Sequence, residues 1–214
     1  MNKNKCLYIV LPHRGLAEGK SRLSPVLDDA ARFALNRDLL AHTIAALTHW
    51  LGTAQRCIVV SPSDAALELA REHGTQALRD EHARLNDAVA AGTAHALAQG
   101  ARMVLIVPGD LPLLDEAALD SMAALNAPRT TVIAPDRHGI GTNALLISAG
   151  VTAFAFGAHS FSHHKALAEA RGDAVRVCTH EALAFDLDTP EDWTICQRSG
   201  AQYYAASCFP KAKA

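Results

Sequence analysis

Short β-branched runs alternate with longer Ala- and Leu-rich stretches, and this pattern constrains the fold of the chain more than any other feature. Two of the runs, 57–60 (CIVV) and 103–107 (MVLIV), are apolar at every position. Such runs are typical of strands covered by helices on both faces, as in a parallel sheet. The regular order of strand, helix, strand therefore predicts an α/β domain with a mostly parallel sheet flanked by helices.

Six strands and six helices are predicted. The strands are 6–11, 57–60, 103–107, 131–134, 143–147 and 174–178, and the helices are 28–50, 64–73, 84–99, 115–125, 162–171 and 190–198. The spacing is less regular between 143 and 190, so we expect a mixed sheet there. We expect residues 1–200 to form the domain and 201–214 to form a C-terminal tail that is flexible or depends on a partner.

The composition argues against several classes of protein. The 214 residues carry a formal net charge of −2, so no basic face for nucleic acid or an anionic membrane is expected. No stretch approaches the roughly 20 apolar residues of a membrane span, and the first apolar run is too short for a signal peptide. The five cysteines are at least twelve residues apart, which indicates reduced thiols in a cytoplasmic protein.

Polar, glycine-containing and acidic segments follow the predicted strands. They are PHRGLAEGKSR, SPSD, PGDLP, DRHGIGTN and DLDTPED. In open α/β sheets ligands bind beyond the carboxyl ends of the strands, so these segments are the candidate site. Turn residues are expected at strand ends in any protein, and position alone is therefore weak support.

The first of these segments superficially matches a phosphate-binding P-loop. That motif needs a glycine five residues before Gly19, where this chain has Arg14. Pro25 would also interrupt the helix that a P-loop opens, and the next helix is expected to begin near Asp28 or Asp29. A true P-loop is therefore not predicted.

We interpret residues 14–24 instead as a long, mobile basic loop. It carries Arg14, Lys20 and Arg22, three cations suited to a triphosphate and to a departing pyrophosphate. A solvated surface loop is the alternative interpretation.

Three aspartates form a second candidate feature. Asp186 and Asp188 are two residues apart, so they point the same way in an extended segment, and Asp110 follows another strand. Carboxylates, completed by water and substrate phosphate, are the ligands that Mg²⁺ prefers. The alternative is that Asp188 caps the helix opening at TPEDW and Asp186 is a turn residue.

Three histidines close in sequence suggest a zinc site. His159 and His163 have helical i, i+4 spacing, and His164 is adjacent, but no cysteine or E-x-x-H partner lies near them. Solvated or anion-facing histidines are the favoured interpretation.

Six motifs occur in a fixed order along the chain. They are LP-x-R-x4-G-KSRL, RLNDAV, PGDLPLL, GIGTNALL, SF-x-x-H and DLDTPEDW, and they run from about residue 11 to 193. Each is weak alone, but together they resemble the guanylyltransferase family that activates a phosphorylated three-carbon acid in coenzyme F-420 biosynthesis. The resemblance implies a single nucleotidyltransferase-type domain, Rossmann-like and GT-A-like.

The resemblance also implies an activity. Members of the family join GMP from GTP to the phosphate of 2-phospholactate, phosphoenolpyruvate or 3-phosphoglycerate, release pyrophosphate and use Mg²⁺. The product would be handed to the next enzyme of the pathway. A related nucleotidyltransferase that uses CTP, or a sugar phosphate or molybdopterin as acceptor, is the alternative. A binding protein without turnover is a third possibility, against which the intact aspartates and KSR segment argue.

Residue roles follow from the matched motifs. The implied metal ligands are Asp110, Asp186 and Asp188. The implied nucleotide contacts are Arg14, Lys20, Arg22 and Asn86, with Asn86 near the base. The implied acid contacts are Gly141, Thr142, Asn143 and Ser160. The implied catalytic residues are Lys20, Arg22 and Asp110.

Four positions depart from the family pattern. Arg14 replaces a usual lysine, which keeps the charge but changes its geometry, and His13 replaces an apolar residue. Arg84 and His159 each replace a usual glycine. We hypothesise that His159 and Arg84 alter the selection of acid or base.

Overall fold

All strands of the described residues lie in one sheet. The computed structural model describes residues 6–81 and 84–198, and the predicted tail, 201–214, lies outside them. The strands are β1 (Leu7–Pro12), β2 (Cys57–Ser61), β3 (Gln76–Arg79), β4 (Met103–Ile106), β5 (Thr130–Pro135), β6 (Thr142–Ser148) and β7 (Ala174–Val177). Their order in the sheet is β3-β2-β1-β4-β6-β5-β7.

The sheet is mostly parallel, as predicted. Strands β1, β2, β3 and β4 pair in parallel, whereas β6 is antiparallel to both of its neighbours, β4 and β5. The turn at residues 136–141 joins β5 to β6, and such a short connection permits only an antiparallel pair. The mixed sheet expected in the late part of the chain is confirmed.

Seven α-helices lie in the described residues. They are α1 (Asp29–Leu51), α2 (Asp64–Glu72), α3 (Leu85–Ala98), α4 (Glu116–Ala124), α5 (Ser160–Ala170), α6 (Glu181–Ala184) and α7 (Pro190–Arg198). Strand β3 and helix α6 were not predicted from the sequence. Strand β3 has no β-branched residue and only part of its surface is buried, and α6 is a single turn. Within the described ranges, no helix has the length and apolar character needed to cross a membrane.

The core has one layer on each face of the sheet. Alternate residues of a strand point to opposite faces, so Ile9 and Leu11 pack with α1 while Val10 faces α3. The fully apolar run 57–60 divides in the same way, with Val59 on one face and Val60 on the other. The prediction that these strands are buried on both faces is confirmed.

The basic loop after β1 is packed against α1. Its carbonyl at Leu16 accepts a hydrogen bond of 2.8 Å from Asn36 Nδ2, and Leu23 is fully buried. A side chain at position 19 would lie within 3.0 Å of the Asn36 amide, so the close approach requires Gly19. A short 3₁₀ turn (Ser21–Leu23) follows Lys20, and α1 begins only after Asp28, which accepts a hydrogen bond from Ala31 N. The loop predicted to be mobile is thus anchored on α1.

Candidate active site

An ammonium group lies between two carboxylates at the carboxyl edge of the sheet. Lys20 Nζ is 2.7 Å from Asp188 Oδ1 and 3.1 Å from Asp110 Oδ2, and the lysine side chain is only 6% exposed. Asp110 follows β4 and Asp188 precedes α7, so three distant segments meet here. The sequence predicted these residues separately, and the fold brings them together.

Negative charge is in excess at this point. Burial alone would lower the pKa of Lys20, but Asp110 and Asp188 outweigh it and raise the pKa, so the group stays cationic. The pKa of Asp186 is raised by burial and then by the charges of Asp110 and Asp188. Two carboxylates face the ammonium, and the carboxylate of Asp186 lies close enough to interact with both of them. Three negative charges and one positive charge therefore lie together here, and a further cation would be stabilised among them.

One backbone contact and one side-chain amide hold the segment of Asp186 and Asp188 beside Asp110. The amide of Leu187 donates to the carbonyl oxygen of Asp110 at 3.2 Å. Asn143 Nδ2 lies 3.4 Å from Asp186 Oδ1 and 3.3 Å from the carbonyl oxygen of Ala184. Asn143, predicted to contact the acid, thus lies between the acid motif and the aspartates.

A capping box, rather than Asp188, begins helix α7. Asp192 Oδ2 accepts from the amides of Asp188 (2.9 Å) and Thr189 (2.7 Å), and Thr189 Oγ1 accepts from the Asp192 amide at 3.3 Å. The alternative role of Asp188 as a helix cap is therefore wrong. Its carboxylate is left to face Lys20.

Arg137 supports this arrangement from the turn that leads to β6. Its guanidinium forms an ion pair with Asp192 Oδ1 and lies over the Phe185 ring, 5.3 Å from the centroid. Burial raises the pKa of Asp192, but the amides of Asp188 and Thr189 and Arg137 lower it more, and the net pKa lies below its usual value. The spacing T-x-x-D before an apolar position is a local sequence signal for this role of Asp192.

Replacement of Asp192 is expected to destabilise the protein. Asp192→Asn removes the charge that faces Arg137, and since that guanidinium is partly exposed, we expect a loss of about 2 kcal/mol. For a chain of this size that loss lowers Tm by about 6 °C. Because the folded-state pKa is depressed, the difference from the parent is largest at neutral pH and shrinks as the pH falls below about 4. Calorimetry of the variant and of Glu191→Gln, its exposed neighbour, measures the effect. Equal stability of both variants at pH 7 would contradict it.

The predicted acid-contact residues lie together at the turn before β6. Asp136 Oδ1 accepts from the amides of His138 and Ile140, and a side chain at Gly141 would lie 2.8 Å from Asp136 Oδ2. Gly141 is therefore required by the close approach of Asp136.

Helix α5 begins directly against this turn. Phe161 N donates to the carbonyl oxygen of Ile140 at 3.0 Å, which brings Ser160 beside the turn. Thr142 and Ser160 are both buried, at 7% and 2% exposed, so solvent has little access to their side chains.

His159 has a left-handed backbone conformation, with φ 56° and ψ 28°. A glycine adopts this conformation without strain, whereas a residue with a Cβ does so at a cost of about 1 kcal/mol. The structure thus gives a backbone reason for the glycine usual at this position. The imidazole here replaces no side chain, so it adds a group next to Ser160.

Asn86 contacts a neighbouring loop through both ends of its amide. Its Oδ1 accepts from Phe156 N at 2.7 Å and its Nδ2 donates to the Phe156 carbonyl oxygen at 3.1 Å. This side chain therefore holds residues 151–159, which connect β6 to α5. Contact of Asn86 with a nucleotide base remains a prediction.

A cavity of about 520 Å³ opens beyond β1, β2 and β3. Its lining residues include Arg14, Asp64, Asp80 and Arg84, with Leu85 at the start of α3. Arg22 lies exposed on the 3₁₀ turn beside Lys20. The cavity was not predicted from the sequence, because its lining comes from five separate segments.

His13 also lines this cavity and is uncharged at neutral pH. Burial and then the charge of Lys20 lower its pKa to about 4. Its Nδ1 accepts from the amide of Gly15 at 3.1 Å. A neutral imidazole is compatible with a position that is usually apolar in the related family.

The described residues contain no group of three or more His, Cys, Asp or Glu side chains spaced to hold a metal ion by themselves. His164 is buried and bonded to Thr142, whereas His163 is exposed, so the zinc alternative is not supported. Lys20 lies between Asp110 and Asp188, so these aspartates are not a preformed metal cage. Mg²⁺ seldom uses one, since substrate phosphate and water complete its shell.

The chain has the fold of nucleotidyltransferases, with a group of acidic and basic residues at the carboxyl edge of the sheet. A cytidylyltransferase from Leptospira borgpetersenii has the same fold, with a TM-score of 0.63 at 14% identity, covering 96% of this chain and 90% of that one. Identity this low shows the fold alone.

Sequence comparison identifies the family. A family model described as "Guanylyl transferase CofC like" matches residues 7–207. The chain is 40% identical over 200 residues to a phosphoenolpyruvate guanylyltransferase of Rubrobacter xylanophilus, covering 92% of this chain and 97% of that protein. It is 35% identical over 187 residues to a 3-phospho-D-glycerate guanylyltransferase of Phenylobacterium zucineum, covering 86% of each. The chain belongs to the CofC-like guanylyl transferase family, which confirms the predicted fold and enzyme class.

Proposed function

We propose that this protein transfers GMP from GTP to the phosphate of phosphoenolpyruvate or 3-phosphoglycerate and releases pyrophosphate, as a step of coenzyme F-420 biosynthesis. The observation that carries the proposal is the meeting of Lys20, Asp110 and Asp188 at the sheet edge. GTP and these acids are metabolites of the cytoplasm, where we propose that the enzyme works.

The reaction requires little acid–base chemistry. An oxygen of the acceptor phosphate, already ionised at neutral pH, forms a bond to the α-phosphorus of GTP, and the bond from that phosphorus to the β-phosphate bridging oxygen breaks. The electron pair leaves with pyrophosphate. The protein's task is to align the two phosphates and to neutralise their charge. Lys20, with Arg22 and Arg14 nearby in sequence, supplies cations for the triphosphate.

The acidic residues fit a divalent cation. Asp110 Oδ1 is buried and accepts no hydrogen bond from any described residue, so it has capacity for a ligand. Asp110, Asp186 and Asp188 offer hard oxygen donors of the kind that Mg²⁺ prefers. Bound there, Mg²⁺ would stabilise negative charge on the phosphates. We propose these three aspartates as its ligands.

The cavity beyond β1, β2 and β3 suits the nucleoside of GTP. Its volume of about 520 Å³ is in the range of small-molecule sites. It lies at the carboxyl ends of parallel strands, where ligands of open α/β sheets bind. Arg84 and Leu85 line it, and Asn86 is the next residue.

The turn before β6 suits the acid. Thr142 and Ser160 offer hydroxyls beside it, which can donate to the carboxylate or phosphate of a small acid. The names of the relatives support phosphoenolpyruvate first and 3-phosphoglycerate second. They give no support for a sugar phosphate, molybdopterin or CTP.

A pyrophosphate-release assay tests the proposal. It crosses GTP, ATP and CTP with phosphoenolpyruvate, 3-phosphoglycerate and 2-phospholactate, each with Mg²⁺ and with a chelator. We expect release with GTP, one of the first two acids and Mg²⁺. Release only with CTP, or none with GTP and any of the three acids, would refute the proposal.

His159→Gly is expected to change the preference among acids. The substitution removes an imidazole next to Ser160, and glycine accepts the left-handed backbone, so stability should change by less than about 1 kcal/mol. We expect the ratio of kcat/KM between phosphoenolpyruvate and 3-phosphoglycerate to shift at least about threefold. His163→Gly would lie inside the helix and is unsuitable as a control, so His138→Gly, exposed in the turn, serves instead. An unchanged ratio in His159→Gly would show that His159 does not select the acid.

A further inference from the structure

One buried imidazole connects the three segments that surround the proposed acid site. His164 is 3% exposed and lies one helical turn after Ser160, on the same side of α5. Its Nδ1 is 3.0 Å from Thr142 Oγ1, and its Nε2 is 3.1 Å from the amide nitrogen of Ala155. Neither hydrogen bond was predicted from the sequence.

The two contacts determine which ring nitrogen carries the proton. The amide of Ala155 can only donate, so Nε2 must be the unprotonated nitrogen. Nδ1 therefore carries the hydrogen and donates it to Thr142 Oγ1. The pKa of His164 is lowered to about 4, by burial first and then by His163 and Arg171, which agrees with a neutral ring at neutral pH.

This proton assignment fixes the role of the threonine hydroxyl. Because Thr142 Oγ1 accepts from His164, its own hydrogen is directed away from the ring and is available for donation to another group. A carboxylate or phosphate oxygen has only lone pairs to offer, so it is the complementary partner. The hydroxyl is in effect an oriented donor for an anion.

Further contacts fix the ring itself. The Phe156 ring packs edge-on against it, with centroids 4.5 Å apart and planes at 69°. Both backbone polar groups of Phe156 are bonded to Asn86, so the loop at 151–159 is held from α3 as well. The imidazole is therefore held by packing and by both of its nitrogens.

We propose that His164 is a positioning residue for the acceptor acid, which makes the Thr142 hydroxyl a hydrogen-bond donor and holds it in register with Ser160. The inference rests on the proposed function in one respect, since it takes the acid to bind at Thr142 and Ser160. Asn86 also contributes to this positioning. It holds the loop at Phe156, and the amide of the adjacent Ala155 orients the His164 ring.

Steady-state kinetics of four variants test the proposal. His164→Phe keeps a flat ring and loses both hydrogen bonds, and His164→Asn can return a donor near the position of Nδ1. Thr142→Val removes the hydroxyl at nearly constant shape, and His163→Phe is the matched control on an exposed neighbour. We expect His164→Phe to raise KM for the acid about 10–100-fold, the range of a hydrogen bond to a charged group. KM for GTP should stay within about twofold of the parental value. In His164→Asn, KM for the acid should return most of the way to the parental value.

A double variant separates positioning from a general structural effect. If His164 acts through Thr142, Thr142→Val with His164→Phe is no worse than Thr142→Val alone. Additive losses, an equal rise of KM for GTP, or no recovery by His164→Asn would overturn the proposal. If His164→Phe fails to fold, KM for the acid is compared between His164→Asn and Thr142→Val. A raised KM in Thr142→Val with a nearly parental KM in His164→Asn supports the proposal, and an equal KM in the two variants would overturn it.

Nitrogen-15 NMR of the histidine rings gives a readout that needs no substrate. The resonance lost in His164→Asn identifies this residue, and we expect a neutral ring protonated at Nδ1 at pH 7. A ring protonated at Nε2 would overturn the donor assignment. Failure of the proposed function would be distinguishable from failure of this inference. In that case the parent enzyme would show no turnover with any of the acids.

Discussion

Asp188→Asn is expected to reduce turnover at least about 10³-fold while the protein remains folded. The asparagine keeps the shape of the side chain but loses the charge that faces Lys20 and, in the proposed complex, the metal ion. The side chain is 40% exposed, so the lost ion pair should reduce stability by no more than about 1 kcal/mol. The capping box of α7 uses Asp192 and Thr189 and is unaffected.

The measurement is pyrophosphate release with GTP, acid and Mg²⁺, together with a thermal unfolding curve. Glu191→Gln is the matched control, because it removes an exposed carboxylate three residues further along the chain. We expect the control to have parental activity. Activity of Asp188→Asn within about tenfold of the parent would remove Asp188 from the metal site.

Lys20→Met is expected to have opposite effects on turnover and on binding of the metal ion. Removing the ammonium should lower kcat/KM about 10²–10³-fold, since a positioned cation at a phosphoryl group is lost. Lys20 also lies between Asp110 and Asp188, however, and its ammonium competes with a metal ion for these carboxylates. Its removal should therefore tighten binding of Mg²⁺ or Mn²⁺ to the free protein, by about tenfold.

Mn²⁺ titration followed by electron paramagnetic resonance measures the second effect, and pyrophosphate release measures the first. Lys165→Met, at an exposed helical position, is the control, and neither quantity should change there. If Lys20→Met weakens binding of the metal to the free protein, the ammonium does not compete with the cation. If turnover is retained, Lys20 does not act on the triphosphate.

Much of the fold was predictable because the signals were local. The fully apolar runs at 57–60 and 103–107 predicted strands buried on both faces, and Asp28 predicted the start of α1. Strand β3 was missed, because QALR carries no β-branched residue and forms an edge strand that is only partly buried. Its pairing with β2 depends on neighbours that are not local in sequence.

The candidate site was predictable in its residue types but not in its contacts. Asp110 and Lys20 stood out because their segments follow strands. The expectation that Asp186 and Asp188 also follow a strand was wrong, since helix α6 precedes them. The fold joins Lys20, Asp110 and Asp188 in one ion-pair group. Asn86 was expected near a base, whereas its amide holds Phe156. That contact spans 70 residues, and no sequence spacing encodes it.

The sequence by itself determined the class of fold, the edge of the sheet that carries the site and the chemical character of its groups. Those properties follow from local periodicity, from strand ends and from the charges that a triphosphate and a metal ion require. Only the tertiary structure decided that the carboxylate of Asp188 faces Lys20 and that His164 orients Thr142. Both depend on which hydrogen-bond partners are buried together, and burial is set by the packing of segments far apart in the chain.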